Sequence, residues 1–261
     1  LLEIEGGSNV KLHNVVRGMC LWLTGGEYDK NTFLVYAGRY DLADVPIFEK
    51  WGDAKRLSLM GSVLDVPRRH VPSCLNLQTF LCKSARVYNI HEGFFRFMPI
   101  LRVLDLSFTG LQSLPDEISF LGELRYLNLS HTRITSLPKG LAKLVKLRML
   151  NLDFVRFLSH IPQEVFPTLM RLQELGLYES GYNFVWQIEP SASLLGDNGH
   201  IQSEGTSSSS HAQVSMRSME SGWDKLEELR LSVRTSSSLE TLLNSDKLCQ
   251  CTVNLKIDGW I

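Results

Sequence analysis

His13, followed directly by Asn14, is the place in this sequence where a titratable side chain adjoins a ready-made anion site. Apolar residues at 12, 15, 16, 19, 20 and 23 recur with the 3.6-residue period of a helix, and Gly25-Gly26 ends it. Asn14 has the chemistry of an N-cap, which sets His13 beside the positive helix terminus, a position suited to phosphate or another anion. The same residue there also serves as a surface or packing histidine, so spacing alone leaves both readings open. His70, His91, His131, His160, His200 and His211 show no ligand spacing, and no Ser-His-Asp set emerges. We therefore expect no catalytic residue and no metal. Cys20, Cys74, Cys82, Cys249 and Cys251 are odd in number and lack a Cys-x-x-Cys pair, which fits a reducing compartment and a cytoplasmic location. Cys249-Gln-Cys251 reads as small buried hydrophobes near a strand rather than as a metal or redox pair.

The elements that would position such residues are set by self-similarity. Leu101-Arg-Val-Leu104-Asp-Leu106 recurs as Leu124-Arg-Tyr-Leu127-Asn-Leu129 and as Leu147-Arg-Met-Leu150-Asn-Leu152. Equivalent positions fall at Leu57, Phe80, Leu104, Leu127, Leu150, Leu175, Leu229 and Leu255, separated by 23, 24, 23, 23, 25, 54 and 26 residues. That is a leucine-rich-repeat period with one insertion. Each x-Leu-x-Leu-x stretch predicts a short parallel strand with leucines inward. Pro115, Pro138 and Pro162 end the regular pairing and start an irregular or briefly helical convex return. Thr109 and Thr132 are placed to satisfy turn amides. The fold class is α/β, a leucine-rich-repeat solenoid with short parallel strands on its concave face.

The outward strand positions form the concave surface, where a protein partner would be read. Expected there are Arg56, Ser58, Thr79, Leu81, Lys83, Val103, Asp105, Ser107, Tyr126, Asn128, Ser130, Met149, Asn151, Asp153, Glu174, Tyr178, Glu228, Arg230, Lys256 and Asp258. Of these, Arg56, Lys83, Asp105, Tyr126, Asn128, Met149, Asn151, Asp153, Glu174, Tyr178, Arg230 and Lys256 are the candidate partner-binding residues. Asp105, Asp153 and Glu174 give that surface an acidic centre suited to a basic segment. Few contacts dominate any interface, so most of these positions are also well explained as solvated surface.

A formal net charge of −1 gives no electrostatic footprint for nucleic acid or an anionic membrane. No run of apolar residues is long enough for a transmembrane segment, and the opening Leu-Leu-Glu-Ile-Glu is not a cationic leader. The chain begins without Met, so a fragment is expected. Between 179 and 222 the leucine phase disappears among glycines and the run Ser207-Ser-Ser-Ser210, which predicts a loop insertion, disordered between about 190 and 220.

Lys11-Leu12-His13-Asn14-Val-Val16-Arg17-Gly-Met19-Cys-Leu-Trp22, the downstream Trp51-Gly-Asp-Ala-Lys55-Arg56-Leu57-Ser58-Leu59-Met60 and the Leu-Pro repeats resemble plant intracellular disease-resistance proteins, the nucleotide-binding leucine-rich-repeat receptors of the coiled-coil branch. The resemblance implies that residues 1–30 are the end of a helical winged-helix region, 31–52 a linker or first capping segment, and 53–261 the repeats. In that family the His of a Met-His-Asp motif contacts the ADP phosphate and holds the off state; Leu12, His13 and Asn14 occupy that motif, which implies His13 as the ADP-phosphate contact in a full-length receptor, with Asn14 lacking the carboxylate. No Gly-x-x-x-x-Gly-Lys-Ser/Thr loop is present among the 261 residues, so no cofactor is expected here and ADP or ATP only in a full-length receptor. The implied function is a non-enzymatic recognition and autoregulatory module. Its partners would be a pathogen effector or guarded host protein and an upstream nucleotide-binding domain. The alternatives are the sensor part of an ADP/ATP-dependent switch, or a stand-alone repeat adaptor.

Overall fold

The computed structural model describes residues 2–5, 9–12, 33–35, 50–59, 73–181, 186–187, 214–215 and 223–258. Its main element is a parallel sheet of nine short strands in the order β13-β12-β9-β8-β7-β6-β5-β4-β3. These are β3 (Phe33–Val35), β4 (Arg56–Ser58), β5 (Thr79–Leu81), β6 (Val103–Asp105), β7 (Tyr126–Asn128), β8 (Met149–Asn151), β9 (Glu174–Leu177), β12 (Glu228–Val233) and β13 (Thr252–Ile257). Every neighbouring pair is parallel. The first strand, β3, lies within the stretch read as linker or first capping segment.

The sheet is one strand per coil, and each strand presents a single inward residue that only its neighbours can cover. Leu57, Phe80, Leu104, Leu127, Leu150, Leu175 and Leu229 form one register row and are fully buried. At roughly 1.5–3 kcal/mol per buried side chain, before chain entropy is subtracted, this row contributes to the cohesion of the stack together with equally buried rows such as Leu106, Leu129 and Leu152. Leu255 does not continue it. Leu229 faces Thr252, and beyond a one-residue bulge at Val253 Leu255 faces Leu231.

On the return side, Pro115 and Pro138 lie just ahead of 3-10 helices at Asp116–Phe120 and Lys139–Lys143. Both prolines are extended, at φ −72 ψ 153 and φ −76 ψ 153, which is the conformation their rings favour. Ile118 and Leu141 turn inward from these helices and are buried. Gly140 is required where successive returns touch: a Cβ there would come within 2.1 Å of the Asp116 carbonyl oxygen. The Gly140 amide donates instead to Asp116 Oδ1 at 3.1 Å.

Three expectations need correction here. Thr109 and Thr132 do not serve amides: their hydroxyls donate to the carbonyls of Leu106 and Leu129 at 2.8 and 2.7 Å. Leu12 does not open a helix, because β2 (Asn9–Leu12) pairs antiparallel with β1 (Leu2–Glu5), setting Leu12 against Leu2; His13, Asn14 and the rest of the expected helix lie outside the described residues. The insertion is not featureless either. Inside it, β10 (Trp186–Gln187) and β11 (Val214–Ser215) pair in parallel.

Candidate functional site

Three residues per strand repeat in register, so the sheet face is organised as rows that cross the coils. The first outward row runs Arg56, Thr79, Val103, Tyr126, Met149, Glu174 and Glu228. The next outward row runs Ser58, Leu81, Asp105, Asn128, Asn151, Gly176 and Arg230. Lys83, Asp153 and Tyr178 follow their strands, and Lys256 lies in β13 opposite Ser232. The candidate residues therefore share one face, though several are already engaged within the fold.

Asp105, Asn128 and Asn151 act first on their own backbone. Each side chain accepts the amide two residues on, from Ser107, Ser130 and Asp153, at 2.8, 3.0 and 2.9 Å. This ends the strand and turns the chain out of the sheet. Serines carried into these turns are not outward-facing: Ser107 and Ser130 are buried, as is Ser58 between Val35 and Leu81 of the flanking strands. Gly176 occupies the same row with no side chain to offer. Asp153 of the preceding coil takes over, accepting the Tyr178 amide at 2.8 Å and the Arg230 Nε at 2.8 Å. A Cβ on Gly176 would stand 2.6 Å from Asp153 Oδ1 and 2.8 Å from an Arg230 guanidinium nitrogen, so the absent side chain makes room for that pair.

The acidic centre is therefore not a set of three free carboxylates. Asp153 is matched by Arg230, with both side chains mostly buried, and Asp105 holds a turn. Glu174 remains, and burial first, then the nearby Glu228 carboxylate, raise its pKa above the usual range. Tyr126 is half-buried; burial first, then the Asp105 charge, push its phenol up, while its oxygen accepts from Asn128 Nδ2 at 3.3 Å. Lys256 bonds Glu179 at 3.1 Å and Asp258 at 3.3 Å. Arg56, Lys83, Tyr126, Met149, Glu174 and Tyr178 keep at least part of their surface in solvent.

Along the downstream edge runs a feature that the leucine pattern conceals. One residue per coil has a left-handed backbone: Ser84, Phe108, His131, Phe154 and Glu179, with φ between 52 and 60. None is glycine, so each carries a steric cost that the surrounding turn must offset. The offset is visible in hydrogen bonds from the Phe108, His131 and Phe154 amides to carbonyls of the following coil at 2.9, 3.0 and 2.7 Å. Ring stacking adds to it. His131 lies between Phe108 and Phe154 at centroid distances of 4.1 and 4.4 Å, each tilted by only 14°, and Phe154 meets Tyr178 edge-on at 5.7 Å. Lys83 Nζ completes the row 5.5 Å from the centre of the Phe108 ring. Burial first, then the Arg156 charge, lower the His131 pKa. The 23-residue phase of Phe108, His131 and Phe154 was present in the sequence, and aligning the leucines alone passes over it.

The cysteines divide. Cys74, Cys82 and Cys251 are buried and unbridged, burial lifting the Cys74 thiol to about 12. Cys249, expected inside, is exposed on the helix Asp246–Cys251, where its thiol donates to the Leu242 carbonyl at 3.1 Å. Among the described residues no cluster of three or more His, Cys, Asp or Glu could hold a metal ion. No helix among them is long and apolar enough to cross a membrane.

Parallel ladder, phased leucine row and proline-led returns define a leucine-rich-repeat fold, and the leucine-rich-repeat family model matches residues 76–134 and 99–157. A leucine-rich-repeat protein from Leptospira interrogans shares the fold, with a TM-score of 0.60 at 22% identity over 88% of this chain and 49% of that one. Over the repeat region the chain is similar to plant disease-resistance proteins. It is 40% identical over 121 residues to a probable disease resistance protein of Arabidopsis thaliana, 46% of this chain and 13% of that relative. It is 39% identical to the Arabidopsis disease resistance protein SUMM2 and 40% identical to RPS5, in each case over 125 residues that are 46% of this chain and 14% of the relative. The match thus spans about one seventh of the length of these relatives.

Proposed function

We propose that the chain is a non-catalytic recognition and autoregulatory module of an intracellular plant immune receptor, which binds a pathogen effector or a modified host protein through its concave face. The observation that carries this reading is the identity of about 40% to disease-resistance proteins over a repeat sheet. The face supplies the means. Tyr126, Met149 and Glu174 are adjacent in one row and half-open to solvent, giving an aromatic, a soft apolar and an acidic contact side by side.

Ion leakage in challenged leaf tissue tests the reading. Replacing Tyr126, Met149 and Glu174 together with Ala is expected to alter the response, whereas Phe120→Ala, Val145→Ala and Met170→Ala on the return segments leave it intact. Equal responses from the two sets, or an effect of the second alone, would remove the concave face from recognition.

Nucleotide control enters this proposal only through an upstream nucleotide-binding region. With no phosphate loop among its residues, the chain is expected to show no micromolar ADP binding by calorimetry, and such binding would place a nucleotide site within it.

A further inference from the structure

The upstream edge of the sheet carries a charge pattern that recognition by the concave centre does not use. The residue before each strand repeats in phase as Lys55, Gln78, Arg102, Arg125, Arg148, Gln173 and Glu227. Three consecutive coils thus present arginine, bounded by glutamine on both sides and reversed to glutamate at the far end. We propose that Arg102, Arg125 and Arg148 form a docking rail for a helical protein segment bearing carboxylates along one face.

Backbone bonds fix the rail. The Arg102 amide donates to the Gln78 carbonyl at 2.8 Å, Arg125 to Arg102 at 2.9 Å, Arg148 to Arg125 at 2.8 Å and Gln173 to Arg148 at 2.7 Å. The three α-carbons are therefore held at the strand spacing of about 4.8 Å, while all three side chains are exposed. None of the three guanidiniums makes an ion pair with a described residue.

Glu123, an acid on which the Arg102 and Arg125 charges act, is held by Lys146 at 2.6 Å. Its carboxyl is lowered first by that hydrogen bond and then by the charges of Lys146, Arg102 and Arg125. Four cations against one carboxylate leave a local surplus of three positive charges, in a chain whose formal net charge is −1. Like charges on neighbouring rungs repel, and a complementary anion relieves that repulsion while guanidinium forks give it geometry.

Spacing selects the occupant. Three rungs span about 9.6 Å at the strand spacing. Helical carboxylates at i, i+4 and i+7 span about 10.5 Å along the axis, close to this length. Alternate carboxylates on an extended chain span about 13.6 Å and overshoot the third rung. The acidic reversal at Glu227 and the chain's net charge also disfavour a long polyanion such as nucleic acid.

The test is fluorescence anisotropy at low salt with the whole protein and three probes. One is a labelled helical peptide with Glu at i, i+4 and i+7, one has the same composition with its Glu scattered around the helix, and one is a single-stranded RNA of equal charge. We expect the faced peptide to bind at least tenfold more tightly than the other two. Replacing Arg102, Arg125 and Arg148 together with Gln should abolish that preference, and Arg125→Gln alone should weaken binding several-fold with unchanged circular dichroism. A charge-matched control, Arg86→Gln, Arg96→Gln and Arg133→Gln, should leave it in place. Equal binding of the scattered peptide, tighter binding of RNA, or equal loss in the control set would each overturn the proposal.

Discussion

The coils at 101–158 and the coil at 223–258 solve the same problem differently. In the middle coils an Asp or Asn ends each strand by binding an amide of its own coil, and everything else repeats around that device. Toward the end, Gly176 has no such group, and closure depends on side chains reaching between coils: Asp153 to Arg230, Ser232 to the Glu179 amide, Lys256 to Glu179. The apolar face changes as well. Leu127 is fully buried between two coils, whereas Val253, Leu255 and Ile257 on the last described strand are 54%, 40% and 45% exposed. Regularity thus resides in local backbone capping, and where capping fails the stack becomes dependent on long-range pairs.

That contrast is broken most directly by removing leucines. Leu127→Ala is expected to cost about 3 kcal/mol, while Leu255→Ala costs less than about 1 kcal/mol because little buried volume is lost; urea melts read both, and equal losses would erase the distinction. Asp153→Ala is expected to cost about 2–3 kcal/mol, since it leaves a mostly buried guanidinium with only Glu228 at 3.5 Å and takes the acceptor from the Tyr178 amide. A double-mutant cycle with Arg230→Ala should then show coupling above about 1 kcal/mol. Asn128→Ala, which loses one local cap, should cost about 1 kcal/mol and show no coupling to Arg230.

The smallest effect concerns pH. The His131 pKa is lowered in the folded chain, first by burial and then by Arg156, so the unfolded state takes up its proton at higher pH. Stability attached to this residue is therefore whole above the ordinary histidine value near 6.5 and falls as pH drops through the folded value. Thermal melts across that interval should show a small loss on acidification that His131→Phe removes.

Much of the fold was legible because one residue type recurs every 23 to 25 positions, and a buried row tolerates no slip in that phase. Leu57 through Leu229 were placed correctly for that reason. Leu255 was not, because β13 meets β12 with Thr252 opposite Leu229 and Leu255 opposite Leu231, an offset that the 26-residue spacing of the two leucines does not reveal. The outward face was legible as a list of positions and not as a list of free groups: that Asp105, Asn128 and Asn151 spend their oxygens on turn amides follows from the backbone path, and that Asp153 serves the next coil follows from a glycine 23 residues on. Ser107 and Ser130 were misplaced because alternation holds only within the strand, and these strands end after three residues. The likeness to disease-resistance proteins, read from Leu12 to Trp22 and from the Leu-Pro turns, agrees with the relatives found over the repeats, while His13 and Asn14 stand outside the described residues.

The Asp153–Arg230 pair joins positions 77 residues apart, whereas neighbouring inward leucines in the middle coils are 23 residues apart. In assembly this makes the last coil the late arrival. Stacking can start anywhere among the middle coils and spread by short loop closures, but Leu229 joins Leu175 only across a 54-residue interval. One doubling of loop length adds only about 0.6 kcal/mol of closure entropy, so the delay is roughly threefold rather than prohibitive. The insertion therefore costs the native state little and acts on the order of events, leaving the edge of β9 as the last to be covered as the chain collapses.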